Sequence, residues 1–403
     1  MERCILHCDL NNFYASVERL YDDNLIGVPV AVCGDTEARH GIVLAKSEEA
    51  KALGVKTGDA VWQAKEKCSD LKIVPPHFQR YVTYSALVRE IYQEYTDLVE
   101  SFGMDECWLD VSASRLAFGD GGQIAEEIRR RTRKELGLTI SVGISFNKVF
   151  AKLGSDLKKP DAQTHITREN FQRVVWPLPV EELLFVGPRS SATLHQFGIH
   201  TIGDLARADD LFLQMKFGKN GAVMKENARG NDNTPVLPFD FEPPMKSVGH
   251  GHTASKDLET KEEVWTLILA LSQEIGEKLR FYSKSAGGIA IDVKDNSFLT
   301  KSLQKTLSTP TCHTMTIARE AFDLFCTRYP FTRPLRSVTV RAISLMKCEG
   351  TQYSMFSEKD FFREERIDKV TDKIRGKYGK GALVNARLLD PVLPDSEGYT
   401  PFH

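Results

Sequence analysis

The chain contains no apolar run approaching the ~20 residues that a membrane-spanning helix needs, so a membrane protein is not expected. Cys-x-x-Cys spacing is absent as well. The eight cysteines are scattered, which reads as reduced thiols in a cytoplasmic protein and not as a disulfide framework. The opening Met1-Glu2-Arg3-Cys4-Ile5-Leu6 lacks a basic stretch and a long apolar core, so no secretory leader is expected. There is no internal repeat and no low-complexity tract, which excludes solenoids and biased tails. Net charge is nearly missing: 53 basic residues face 55 acidic ones, a formal −2. That balance argues against a surface coated with basic residues and, taken alone, ranks nucleic-acid binding low.

What is present is ordinary globular composition, 41% hydrophobic and 27% charged. At roughly 100–200 residues per domain, a chain of this length makes two to four domains. Residues 3–9 read as a short buried strand, and Phe13, Val17 and Leu20 as one face of a helix. Cys4, His7 and Cys8 are close enough to suggest zinc, but the apolar run around them favours the strand. A strand at 28–33, a loop at 35–41, a short strand at 43–45 and helices at 48–53 and 60–68 follow. Tyr84, Leu87, Val88, Ile91 and Tyr95 predict a helix over 80–100. Two apolar halves flank an acidic pair at 101–111, the pattern of a hairpin or strand break. A helix at 123–136 and a strand at 139–144 complete a mixed α/β unit.

Residues 166–240 read as compact helices, and the four prolines of 234–244 as a linker. From 245 to 347 the order is strand, helix, strand, strand, helix, strand, which predicts a four-stranded sheet with two helices on one face. A last amphipathic helix carries Ile367, Val370, Ile374 and Tyr378. The fold class is therefore α+β, in several domains.

Three acids stand out. Asp9 ends the first strand, and Asp105 and Glu106 lie at the acidic break. Carboxylates brought together repel one another unless cations bind them. Such oxygen-rich sites suit magnesium, and two metals can serve the attacking and leaving oxygens of a displacement. Taken singly, each acid is equally a cap or a surface charge.

The surroundings of these acids carry a resemblance. Asp9-Leu-Asn-Asn-Phe-Tyr-Ala-Ser-Val-Glu18, Met104-Asp-Glu-Cys-Trp-Leu-Asp-Val111 and Ser141-Val-Gly-Ile-Ser-Phe-Asn-Lys-Val-Phe-Ala-Lys-Leu-Gly-Ser-Asp-Leu-Lys-Lys-Pro160 resemble, in order and spacing, three motifs of the Y-family, translesion DNA polymerases. The resemblance covers roughly residues 3–357 and extends to the DinB/UmuC-like bacterial branch. It implies a right-hand polymerase: palm at 1–20 and 77–165, fingers at 21–76, helical thumb at 166–233, linker at 234–244, little finger at 245–347, and a tail at 348–403. It implies that Asp9, Asp105, Glu106 and the Leu10 carbonyl bind two Mg2+. Tyr14 takes the steric-gate position, excluding a 2′-hydroxyl, with Phe13 beside it. Lys159 is similar to a lysine that reaches the triphosphate. In the fingers, Ala45, Glu48 and Lys51 depart from the commoner Thr, Tyr and Arg, so phosphate contact is expected from Lys51, Lys46 and Asn12. This segment resembles the catalytic subunit of bacterial polymerase V. Ile42, Leu44 and Gly58 would roof the nascent base pair.

The turn at Val186, Gly187 and Arg189 resembles a helix-hairpin-helix, whose helix start offers N–H groups to a phosphate. On the last strand of the little finger, Ser337, Thr339 and Arg341 alternate with Val338 and Val340 and would meet DNA backbone. Gln352, Ser354, Met355 and Phe356 resemble the peptide that binds the bacterial sliding clamp. The implied partners are primer-template DNA, deoxynucleoside triphosphates, the clamp and accessory SOS subunits, with the chain itself a monomer. The alternatives are a non-catalytic adaptor that binds DNA and clamp, and a nucleotidyl cyclase. The charge balance also changes meaning when divided. Residues 1–165 carry 21 basic and 25 acidic residues, whereas 241–347 carry 15 and 11.

Overall fold

In the computed structural model, residues 3–34, 41–348 and 360–389 are described. They fall into two units, 3–34 with 42–242, and 243–348 with 360–389. The first contains β1 (Ile5–Leu10), β2 (Val30–Cys33), β3 (Val43–Lys46), β4 (Lys72–Val74), β5 (Val99–Ser101), β6 (Glu106–Asp110), β7 (Ile140–Ser145) and β8 (Gln163–Ile166). Five of these make one sheet, in the order β5-β6-β1-β7-β8, and β3-β2-β4 make a small second sheet.

Strand β1 is central and antiparallel to both neighbours. Every one of its residues is buried, so each face packs against something. Side chains alternate across a strand. Leu6, Cys8 and Leu10 join the core beneath the helices Phe13–Arg19, Phe78–Gln93 and Gly121–Leu136. Ile5, His7 and Asp9 therefore share the opposite face, which is covered by the helix Lys148–Leu157. That helix lies close because Gly143 sits opposite His7 on β7. A Cβ on Gly143 would fall 1.9 Å from the Ala151 carbonyl oxygen, so no other residue fits without moving the helix.

The expected helix over 80–100 is corrected: it spans Phe78–Gln93, and Val99–Ser101 is β5. Apolar periodicity continues through Tyr95, but Thr96 Oγ1 donates to the Asp110 carbonyl at 2.8 Å and draws the chain onto the edge of β6. The acidic break is a β5–β6 hairpin. Five helices between Phe171 and Ala228 close over their own apolar cluster.

The second unit contains β9 (Ser247–Leu258), β10 (Lys284–Asp295), β11 (Thr300–Thr311) and β12 (Leu335–Lys347) in the order β11-β10-β12-β9. The helices Lys261–Phe281 and Thr314–Arg328 pack on its apolar face with Ile289, Ile291, Val338 and Val340. A capping box of Thr260 and Glu263 starts the first helix. The tail helix Asp360–Tyr378 forms, but its apolar stripe does not dock: Ile367, Val370 and Tyr378 are exposed. Its acidic side docks instead. Asp372 pairs with Arg280 at 2.6 Å, Glu364 with Arg319 at 2.8 Å, and buried Asp368 accepts from the Thr314 N–H at 3.1 Å. Among the described residues no helix is long and apolar enough to cross a membrane.

Candidate active site

Antiparallel register places Asp9 directly opposite Glu106 at the open end of the β1–β6 pair. Residues so opposed have Cβ atoms roughly 4.5–5.5 Å apart on one face. Asp105 precedes Glu106, and its carbonyl accepts from the Leu10 N–H at 3.0 Å, which locks the two chains together where the acids emerge.

The helix Lys148–Leu157 supplies the counter-charge. Lys152 Nζ lies 2.9 Å from Glu106, 3.3 Å from Asp9 and 3.2 Å from Asp156. Lys159, just beyond the helix, lies 2.8 Å from both Asp9 and Asp156. Burial pushes the Asp9 carboxyl up to about 6, against the pull of the two lysines and with Glu106 repelling it. Lys159 is raised above its ordinary value despite burial, because Asp9 and Asp156 favour its charge. Acid and lysine thus do not shift as a matched ion pair, since Asp9 is 5% exposed and faces a second acid. Burial and Glu106 raise Asp105 also. Burial would raise Glu106 too, yet His7 and Lys152 hold it down at about 2.

These observations fit a cation site. The donors are carboxylate oxygens, the set that hard divalent metals take. Glu106 repels both Asp9 and Asp105, and positive charge relieves that repulsion. Among the described residues no group of three acidic, histidine or cysteine side chains stands ready to hold a metal ion. Lysine ammonium groups hold Asp9 and Glu106 in the place of one.

Tyr14 is half-buried at the edge of this cluster. Its ring stacks on Tyr81 at 4.1 Å and 7°, and its hydroxyl donates to Met104 Sδ at 3.4 Å. Phe13 is buried beside it at 5.6 Å. Asn12, in a left-handed conformation at φ 50°, donates to Glu48 at 3.0 Å, and Lys51 lies 3.6 Å from the same carboxylate. Asn12 and Lys51 thus meet on Glu48. Lys46 donates to Thr57 at 3.1 Å, and burial, then Lys51, lower its pKa. Ile42 is exposed and Leu44 half-buried at alternate positions of one edge, next to Gly58, whose φ of 89° demands glycine.

Val186 is buried, whereas Gly187 and Arg189 are exposed at the start of the helix Pro188–Gln196. On β12, Val338 and Val340 face the core and Ser337, Thr339 and Arg341 the other side. Arg341 is already engaged by Asp292 at 2.9 Å. Gln352, Ser354, Met355 and Phe356 lie outside the described residues.

Sequence reasoning missed Lys152 and the role of His7. A helical face did carry the signal: Lys148, Lys152, Ser155, Asp156 and Lys159 recur at helical spacing.

The impB/mucB/samB family model matches residues 8–156, and that of the impB/mucB/samB family C-terminal domain matches 245–355. A DNA polymerase IV of Acetivibrio thermocellus is 46% identical over 400 residues, covering 97% of this chain and all of the relative. A DNA polymerase IV of Pelotomaculum thermopropionicum is 36% identical over 97% of this chain and 96% of its own length. DNA polymerase IV 1 of Bacillus subtilis is 37% identical over 94% and 91%. These relatives bear that name and not the name of the polymerase V subunit which residues 42–55 resemble. A solved Y-family DNA polymerase chimera superposes with a TM-score of 0.75 at 21% identity, covering 85% of this chain and 99% of that one, a likeness of fold.

Proposed function

The chain belongs to the impB/mucB/samB family, the Y-family of DNA polymerases, and on that premise we propose that it is a template-directed DNA polymerase of the translesion type. It adds deoxynucleotides to a primer 3′-end opposite damaged template, with low processivity and no proofreading. The observation that carries this reading is the pairing of Asp9 with Glu106, beside Asp105, at one open strand end.

In this reading the palm is 1–20 with 77–165, the fingers 21–76, the thumb 166–233 and the little finger 245–347. Asp9, Asp105 and Glu106, with the Leu10 carbonyl, would hold two Mg2+, which would supply activation of the primer hydroxyl and countercharge for the leaving pyrophosphate. The rest of the catalysis is positioning and charge neutralisation by the chain. Lys159, 2.8 Å from Asp9, would be released to the triphosphate if a cation neutralised that carboxylate. Lys51, with Lys46 and Asn12, supports the phosphates from the fingers. Tyr14, clamped on Tyr81, presents a rigid wall under the sugar. Ile42, Leu44 and Gly58 roof the base pair. The helix start at Gly187 and Arg189, and the Ser337, Thr339 and Arg341 face, hold DNA backbone. Gln352, Ser354, Met355 and Phe356 bind the sliding clamp. The adaptor alternative is not favoured, since all three acids are present.

Primer extension with magnesium tests the reading. Wild-type protein is expected to extend an undamaged and a lesion-bearing template, and Asp105→Ala to extend neither. Failure of the wild type on both overturns it.

A further inference from the structure

His7 is fully buried on the same face of β1 as Asp9. Nothing in the reading above uses it. Its ring meets Trp108, its cross-strand partner, edge-on at 5.2 Å. A phenylalanine would satisfy that packing, so the two ring nitrogens need a separate reason.

Each nitrogen has a distinct neighbour. Nδ1 lies 2.8 Å from Ser155 Oγ, and Nε2 lies 3.4 Å from Glu106 Oε2. Neither Nε2 nor Oε2 forms a hydrogen bond elsewhere. Lys152 occupies the other Glu106 oxygen at 2.9 Å. Ser155 reaches the ring because Gly143 lets its helix touch the sheet: a Cβ there would lie 2.5 Å from the Ser155 nitrogen.

The tautomer follows from counting protons. Ser155 has one hydroxyl proton and two acceptors, His7 Nδ1 and the Lys152 carbonyl at 2.7 Å. If the carbonyl takes it, Nδ1 must carry the ring proton, and the bare Nε2 lone pair faces a carboxylate. If Nδ1 takes it, Nε2–H faces Glu106 Oε2 and the lone-pair repulsion is gone. The ring is fully buried, which favours the neutral imidazole. At 3.4 Å the Nε2–Oε2 contact is longer than a formed bond, about 2.7–3.2 Å, and is poised to tighten.

We propose that His7 is a positioning residue for Glu106: the chain Ser155 O–H to His7 Nδ1, His7 Nε2–H to Glu106 Oε2, fixes the carboxylate rotamer in which the other oxygen meets a divalent cation. Lys152 holds that second oxygen until the cation arrives. The proposal rests on the metal-dependent polymerase reading. Outer-shell partners of metal ligands typically carry about 10–100-fold in metal affinity or activity.

Three variants test it. His7→Phe keeps the ring and removes both nitrogens. His7→Gln keeps an N–H at the reach of Nε2. His7→Asn keeps one only at the reach of Nδ1. Binding of Mn2+ by calorimetry, without DNA or nucleotide, should weaken about tenfold or more in His7→Phe and His7→Asn and recover most of its strength in His7→Gln. Single-nucleotide insertion should show the same order in half-saturating magnesium, with the deoxynucleotide KM at saturating metal within about twofold of wild type. Wild-type metal affinity in a folded His7→Phe overturns the proposal. Should His7→Phe not fold, equal behaviour of His7→Gln and His7→Asn overturns it. A wild type that extends no primer overturns the polymerase reading instead, while the manganese isotherms still decide His7.

Discussion

Asp9 and Arg341 both sit on inner strands of antiparallel sheets, and each is answered by an opposite charge from its own chain. Asp9 has Lys159 at 2.8 Å, and Arg341 has Asp292 at 2.9 Å. The distances match, but the surroundings do not. Asp9 is buried beside two other acids, while the Arg341 side chain is 42% exposed. An exposed pair contributes about 0–1 kcal/mol and exchanges partners with little loss. A buried charge stripped of its partner costs several times that. The first region can therefore only trade one cation for another, lysine for metal. The second can move Arg341 from Asp292 to a phosphate with almost no change in stability.

Asp9→Asn is expected to have the largest effect, lowering primer extension by on the order of 10³-fold or more at saturating magnesium. A loss under tenfold would put Asp9 in the same class as a surface charge and end the contrast. Lys152→Met removes the ammonium shared by Asp9, Glu106 and Asp156. In metal-free buffer it should destabilise the fold by roughly 3 kcal/mol, and magnesium should restore part of the melting temperature. No magnesium effect would argue that metal and lysine do not share a site. Tyr14→Ala should cut the preference for deoxy- over ribonucleotides by about 10–100-fold in kcat/KM, leaving metal dependence unchanged.

Arg341→Ala should weaken binding of primer-template DNA only about threefold and reduce the salt slope by about one. Fluorescence anisotropy across a potassium chloride series would read both, and an unchanged slope would remove Arg341 from the DNA contacts. The smallest effect concerns the tail helix. Burial would raise the Asp368 carboxyl, but His313 and Arg280 hold it below the ordinary value. A depressed carboxylate stabilises above its unfolded pKa of about 3.9 and loses that contribution as pH falls through the lower folded value. Hydrogen exchange of residues 363–378, corrected for its intrinsic pH dependence, should therefore quicken as pH falls below about 4. Asp368→Asn should quicken it at neutral pH as well.

The periodic elements were legible because periodicity is local. The six elements from Ser247 to Lys347 follow the expected order, and the β5–β6 hairpin lies where two apolar halves flank Asp105 and Glu106. One element was misread, and another docks by a side that its apolar pattern does not mark, for one physical reason. The helix ending at Gln93 and the outward apolar stripe of the tail helix both depend on what the rest of the chain places opposite them. At residue 96 the edge of β6 outcompetes another helical turn. Beneath the tail helix, Arg280, Thr314 and Arg319 offer a polar surface, so the acidic side docks and Ile367 faces outward.

The sequence by itself determined the α+β class, the identity of Asp9, Asp105 and Glu106 as the chemically costly residues, and the placing of Tyr14 five residues after Asp9, at the start of the first helix; short-range pattern and composition are enough for these. Only the tertiary structure decided what those acids meet. Lys152 and Lys159 reach Asp9 across 143 and 150 residues of chain and Ser155 reaches His7 across 148, because Gly143 lets one helix lie against the sheet. Spacing along a chain does not encode such contacts; close packing between distant segments does.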